Sequence, residues 1–356
     1  MYKINYTKLL LVIFTAFNFT TAQIPNYYST IDFFQEGDAL KIQLSNLITN
    51  THSLDIPYTS SNTDTWDILR ISDLQFVNSD RVILMYGFED DDGSFITDRT
   101  RDAFETCHSG SCVGKWNREH VFAKSLADPS LVTNIAGSGT DVHNLRAADS
   151  QKNSQRNNRL FIDSYGIESK IVGDYFYPGD EWKGDVARII MYMYLRYPSQ
   201  CKPINSATGG ANYSPNNDMP DVFLEWNEQD PVSALELARN DVIFSYQGNR
   251  NPFIDNPYLA TLIWNGPEAN DAWGTLSSKE DVEISVSVLP TVSTTSININ
   301  GLSEDEFNVL IYNQLGQKIL YSNEHKTINV SSFPKGLYII HIQNSKGTYK
   351  SKFIVR

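Results

Sequence analysis

This chain of 356 residues is short of cysteine and of positive charge, and after its first residues it has no long apolar run. Three cysteines occur, Cys107, Cys112 and Cys201. No second cysteine pair and no matched histidine pair stands at ligand spacing, which argues against a structural zinc site. The formal net charge of −13 argues against a protein that coats nucleic acid, because neutralising phosphates takes cations. Beyond the N-terminus no stretch is apolar enough to cross a bilayer, so stable membrane insertion is not expected.

What is present suits a globular protein of two domains. Hydrophobic residues make up 41% and aromatics 12%, enough to bury a core. Met1–Ala22 places Lys3 and Lys8 around the start of an apolar run, Leu9 to Phe14, and closes on the small residues Thr20, Thr21 and Ala22. That is the pattern of a secretory signal peptide, so the mature protein is expected to leave the cell through the periplasm. Export permits a disulfide. Any of three pairings is open, and one thiol stays unpaired within a monomer, the expected state.

The elements follow from periodicity. Residues 36 to 48 place Leu40, Leu44, Leu47 and Ile48 at helical spacing, and residues 57 to 74, around Trp66, Ile68, Leu69 and Ile71, predict another helix. Val82 to Tyr86 reads as a buried strand, and Asp90-Asp91-Asp92-Gly93 as a polar turn lacking the other ligands of a calcium loop. His120, Val121 and Phe122 favour a strand. Residues 127 to 140 form a loop, and 141 to 159 a short strand or turn followed by a helix. The clearest helix is 182 to 197, with a core stripe of Val186, Ile189, Ile190, Met193, Tyr194 and Tyr197. Asp185 and Arg188 lie off that stripe, where a surface salt bridge is the common fate. Residues 201 to 220 form a loop, 232 to 243 a helix and 247 to 253 a polar turn. After about residue 280 short β-rich runs alternate with turn signals, as in a small all-β sandwich. The fold class expected is α+β, a mostly helical domain over residues 23–280 followed by a sandwich over 285–356.

Residues 115 to 161 hold the chemistry. KWNREHVFAKS is followed, after a loop, by DVHNLRAADSQKNSQRNNRLF. Between residues 111 and 160 seven cations (Lys115, Arg118, Lys124, Arg146, Lys152, Arg156, Arg159) face four anions, a local reversal that suggests a basic groove on an acidic body. Phosphodiester hydrolysis needs an activated water and stabilisation of the leaving oxygen. A neutral imidazole such as His120 can take the water's proton. A hard divalent ion on a carboxylate and an amide oxygen can hold the phosphate. Glu119 and His120 are adjacent, so only a distorted strand would let both reach one cleft.

The two segments resemble the signature segments of the endonuclease I family of secreted bacterial nucleases, within the His-Me finger (ββα-metal) class. The similarity extends through WKGDVARIIMYMYLRYP and RNDVIFSYQGNRNPFIDNPYLATLIW. It implies nicking of DNA, and of RNA, with little sequence preference and 5′-phosphate products. It further implies His120 as general base, and one ion, Mg²⁺ (or Ca²⁺ or Mn²⁺), held by Glu119 and Asn153. Ser154 stands where the family commonly has a glycine after the ligand asparagine. Arg156 and Arg188 are the candidates for the arginine on the scissile phosphate, and His143, Asn144 and the QGNRNPF segment are expected to clamp the fold. From about residue 285, INVSSFPKGLYIIHI and the closing YKSKFIVR are similar to the C-terminal sorting domain of type IX secretion, which implies that machinery as a partner. A rival from another class is a non-catalytic surface protein that binds nucleic acid or matrix. Glu119, His120 and Asn153 together favour the enzyme.

Overall fold

The computed structural model describes residues 24–274, 287–301, 307–314, 317–322, 326–344 and 347–356. The expected signal peptide lies outside the described residues. The chain divides into two compact units, the first ending at Trp273 and the second beginning at Gly274. Among the described residues no helix is long and apolar enough to cross a membrane.

The first unit mixes helices and short strands. In order these are α1 (Gly37–Asn50), α2 (Thr65–Ser72), β1 (Arg81–Ile83), β2 (Thr100–Asp102), β3 (Trp116–His120), β4 (Leu145–Asp149), α3 (Ser150–Arg156), β5 (Lys170–Val172), β6 (Tyr175–Tyr177), α4 (Lys183–Arg196), α5 (Asp221–Gln229), α6 (Ala234–Gln247), α7 (Pro252–Asp255) and α8 (Tyr258–Trp264). The expected stripes of α1 and α4 are buried, with Leu40, Leu44 and Ile48 on one and Val186, Ile189, Ile190 and Met193 on the other.

Several boundaries differ from expectation, each for a local reason. α2 begins only at Thr65, because Asp64 takes the N-cap. Its carboxylate accepts from Trp66 N at 2.8 Å and Asp67 N at 3.3 Å, while Asp67 accepts from Asp64 N at 3.2 Å. The strand expected over Val82 to Tyr86 stops at Ile83, and Tyr86 adopts φ 72°. His120 ends a strand rather than beginning one. α5 was not foreseen.

Two apolar clusters form the core of this unit. One gathers α1, α4, α5 and α8 around Trp182, Ile190, Phe223 and Trp264. The other gathers α2 and the strands around Trp66, Leu69, Trp116, Val142 and Leu145. The antiparallel pair β3–β4 belongs to both, since Trp116 lies in the second cluster while Val121 and Phe122, just past its end, lie in the first. Its register sets Glu119 opposite Arg146 and His120 opposite Leu145, and α3 follows directly from Asp149. Two strands and a helix thus stand in the centre of the unit.

The second unit is all β. Its strands are β7 (Ser287–Leu289), β8 (Val292–Ser293), β9 (Ser296–Asn300), β10 (Phe307–Asn313), β11 (Lys318–Ser322), β12 (Thr327–Asn329), β13 (Gly336–Asn344) and β14 (Gly347–Val355). They make a five-stranded sheet, β11-β10-β13-β14-β8, and a three-stranded sheet, β12-β9-β7. Alternate residues of both, among them Ile297, Ile299, Val309, Ile311, Ile340 and Phe353, share one core. That is the layering of a small sandwich.

Candidate active site

The end of β3, the start of the loop after it and α3 enclose a cleft of about 330 Å³. Arg118, Glu119, His120, Lys124, Asn153 and Arg156 line it, together with Tyr58 and the exposed Asn157 and Asn158. Glu119 and His120 therefore share one cleft despite being neighbours on the chain.

The hairpin and helix are pinned by polar side chains. Asn144 accepts from Phe122 N at 2.7 Å and donates back to Phe122 O at 3.2 Å, which ties the ends of the connecting loop together. Asp149 caps α3, accepting from Gln151 N at 2.8 Å and Lys152 N at 3.0 Å. Its other oxygen pairs with Arg101 at 2.6 Å. A disulfide joins Cys107 to Cys112, and Cys201 is a buried free thiol. The Cys112 carbonyl in turn accepts from Ser150 Oγ, at the first residue of α3, at 2.6 Å.

His120 is 7% exposed. Its Nε2 lies 2.8 Å from the carbonyl oxygen of Gly139. A carbonyl only accepts, so Nε2 carries the proton and Nδ1 keeps the lone pair. Burial, with Lys124, Arg118 and Arg156 nearby, lowers the pKa to about 4, although the Gly139 bond works the other way. The imidazole is neutral near pH 7. Gly139 reaches this position by close backbone approach, since a Cβ there would stand 1.9 Å from the Val132 carbonyl oxygen.

Glu119 is 2% exposed. Tyr86 donates to its Oε1 at 3.0 Å, and Arg156 Nη1 stands 3.3 Å from the same oxygen. Neither contact involves Oε2. Burial raises the carboxyl to about 7 even though Arg156 and Tyr86 lower it. Asn153 spends its amide nitrogen on Asn117 Oδ1 at 2.8 Å, leaving its own carbonyl oxygen available. Among the described residues no cluster of three His, Cys, Asp or Glu side chains could hold a metal. A carboxyl and an amide oxygen that line one cleft do fit a hard ion that keeps several of its own waters.

The two arginine candidates fare differently. Arg156 lines the cleft, but its guanidinium is fully buried and committed to the backbone. It donates to His120 O and Asn157 O at 3.1 Å each and to Val121 O at 2.7 Å. Arg188 is neither in the cleft nor in a surface salt bridge. It is buried against Glu236 at 2.6 and 2.9 Å and donates to Asp230 O at 2.8 Å. The expected basic groove is present only in part, since Arg118, Lys124 and Arg156 line the cleft. Of its seven cations Arg146, Lys152 and Arg156 are buried, and Arg118 is stacked on Tyr58. Lys124 is the exposed cation at the rim.

Sequence reasoning missed Tyr58, Tyr86, Asn117 and Gly139. Strand alternation could have found Asn117, two residues before Glu119 on β3. The others reach the site from far along the chain and carry no local signal.

Comparison with known proteins adds an independent line. The Endonuclease I family model matches residues 36–258, and a secretion system C-terminal sorting domain matches residues 287–356. An extracellular ribonuclease of Bacillus subtilis (strain 168) is 40% identical over 240 residues, covering 64% of this chain and 75% of that protein. An extracellular ribonuclease of Bacillus amyloliquefaciens is 38% identical over 241 residues, covering 65% and 75%. Endonuclease-1 of Buchnera aphidicola subsp. Baizongia pistaciae is 26% identical over 167 residues, covering 43% and 58%.

Proposed function

The chain belongs to the Endonuclease I family and carries a type IX secretion sorting domain, and from that premise we propose that it is a metal-dependent, sequence-nonspecific endonuclease of the His-Me finger class. It is a secreted or cell-surface nuclease. DNA and RNA are both proposed as substrates, since two of its relatives are named as ribonucleases and a third as an endonuclease.

One observation carries this reading. The contacts described above use His120 Nε2, Glu119 Oε1 and the Asn153 amide nitrogen, and the side chains of all three residues line one cleft. Glu119 and Asn153 would hold a divalent ion, Mg²⁺, Ca²⁺ or Mn²⁺. Such an ion, when bound, neutralises charge on the phosphate and on the leaving oxygen. His120 accepts the proton of the attacking water at Nδ1, and the Gly139 carbonyl holds the tautomer this requires. The anionic phosphate of a bound substrate favours the imidazolium that forms. The bond from phosphorus to O3′ breaks, leaving a 5′-phosphate. Lys124, Asn157 and Asn158 at the rim are placed for neighbouring phosphates, contacts that carry no base information.

Plasmid nicking, with and without a chelator, tests the reading on three variants beside metal calorimetry. His120→Ala is expected to keep metal affinity and lose roughly 10²–10⁴-fold in rate, the usual worth of a general base. Glu119→Ala and Asn153→Ala are expected to lose metal affinity, with partial rescue by excess metal. If His120→Ala loses metal while Glu119→Ala keeps it, the two roles are reversed. If no variant affects nicking, the active site lies elsewhere.

A further inference from the structure

We propose that Tyr58 is a positioning residue for His120, holding the imidazole by its face while Gly139 holds it by its edge; this rests on His120 being the general base. A ring held only by one edge hydrogen bond can still tilt about the Nε2–oxygen axis. That tilt would swing Nδ1 across the cleft. A flat neighbour packed on the ring face removes it.

Tyr58 is such a neighbour. Its ring centroid stands 5.7 Å from that of His120, with the planes 29° apart, within the range of offset aromatic stacking. Tyr58 also carries a cation over its ring. The Arg118 guanidinium carbon lies 3.3 Å from the Tyr58 centroid and 4.1 Å from that of Trp66. Trp66 belongs to α2 and packs against Trp116 of β3 at 5.0 Å. Trp66, Arg118, Tyr58 and His120 are therefore linked by successive contacts that start in the core and end on the imidazole.

The guanidinium is itself oriented. Arg118 donates to the Tyr58 carbonyl, to Thr65 Oγ1 at 2.9 Å and to Thr59 Oγ1 at 3.2 Å, and Thr65 Oγ1 donates to the Tyr58 carbonyl at 3.0 Å. Backbone and ring of Tyr58 are thus fixed by the same cation. β3 supplies both Arg118 and His120, two positions apart on one strand face. The ring of Tyr58, on the loop before α2, contacts both. A ring placed merely to fill space would not need a cation held against it.

The test compares Tyr58→Phe, Tyr58→Leu and Tyr58→Met, each alone and combined with His120→Ala, by steady-state nicking, metal calorimetry and thermal unfolding. Phe keeps the flat face, whereas Leu and the flexible Met do not. Tyr58→Leu and Tyr58→Met are expected to lower kcat by roughly 10–100-fold, the scale of a misplaced reacting group. KM and metal affinity should stay near the parent values. Tyr58→Phe should recover most of the loss. In the His120→Ala background neither Leu nor Met should lower the rate further, since there is no imidazole left to aim. An equal loss in both backgrounds would overturn the positioning role while leaving His120 as the base. Loss in Tyr58→Phe as deep as in Tyr58→Leu would overturn it too, pointing to the hydroxyl. If His120→Ala alone leaves nicking intact, the base assignment itself fails. Should Leu unfold the protein, Met carries the same comparison.

Discussion

Replacing Arg156 by methionine removes a buried cation while keeping an unbranched side chain of similar reach. The guanidinium faces Glu119 at 3.3 Å and satisfies three carbonyls, those of His120, Val121 and Asn157. Removing one partner of a buried ion pair costs roughly 3–5 kcal/mol, because the other charge is left uncompensated. For a domain of this size each kcal/mol moves the midpoint by about 2–4 °C, so a fall of about 6–20 °C is expected in calorimetry without metal. The sign of the metal response runs the other way. Without Arg156 the Glu119 carboxylate has lost a competing cation, so at a pH high enough to ionise that carboxyl a divalent ion should bind Arg156→Met more tightly than the parent. Saturating Mg²⁺ should then raise the midpoint of the variant more than that of the parent. Arg156→Lys, which restores a charge but not the fork of donors, should fall between. An unchanged midpoint and metal response, coupled to weakened nucleic-acid binding, would refute this account and make Arg156 a phosphate ligand.

Other consequences can be checked separately. His143 is buried with its pKa lowered to about 4 by burial, against the raising effect of Asp141. Its ordinary value is about 6.5, so the unfolded chain takes up a proton first as pH falls. Stability from this group is therefore complete above pH 6.5 and lost towards pH 4, by about 3 kcal/mol at most. Urea unfolding of His143→Gln against the parent should show the difference shrinking over that window, and a pH-independent difference would count against it. Asp149→Ala should lose the cap of α3, worth about 1 kcal/mol, as well as the Arg101 pair, and should weaken metal binding through Asn153. Asp149→Asn keeps a capping oxygen and should bind metal more like the parent, and identical affinities in both variants would separate α3 from the metal. Deleting residues 275–356 should leave nicking unchanged, because the two units have separate cores. A folded but inactive truncation would refute that.

How much of this was legible in the sequence depends on which residues carried the message. α1 and α4 announced themselves through apolar stripes, and the cleft-lining residues of β3 and α3 through dense polar chemistry. Arg188 was misplaced because a polar residue off an apolar stripe reads as solvent-facing, whereas Asp185 and Arg188 are buried against Arg146 and Glu236. The same blindness blurred α6. Its buried face is Glu236, Arg239, Asn240, Ile243 and Gln247, a stripe with helical spacing but almost no hydrophobicity. Periodicity of apolar residues cannot find a face that is held by ion pairs and amides. Tyr58 and Gly139 were invisible for another reason, since what matters is where distant loops return.

That polar face makes α6 a ruler. At its start Glu236 accepts from Ser233 N at 2.9 Å, closing the capping box, while also gripping Arg188 of α4. At its end Gln247 accepts from Val142 N at 3.0 Å and donates to Asp141 at 2.9 Å, just before the strand that pairs with β3. The two residues stand eleven positions apart, about three full turns, so both point the same way. Inserting a single residue between them would turn one end by about 100° relative to the other and break one grip or the other. The exposed side of α6 should accept almost any substitution, yet the helix should tolerate no change of length.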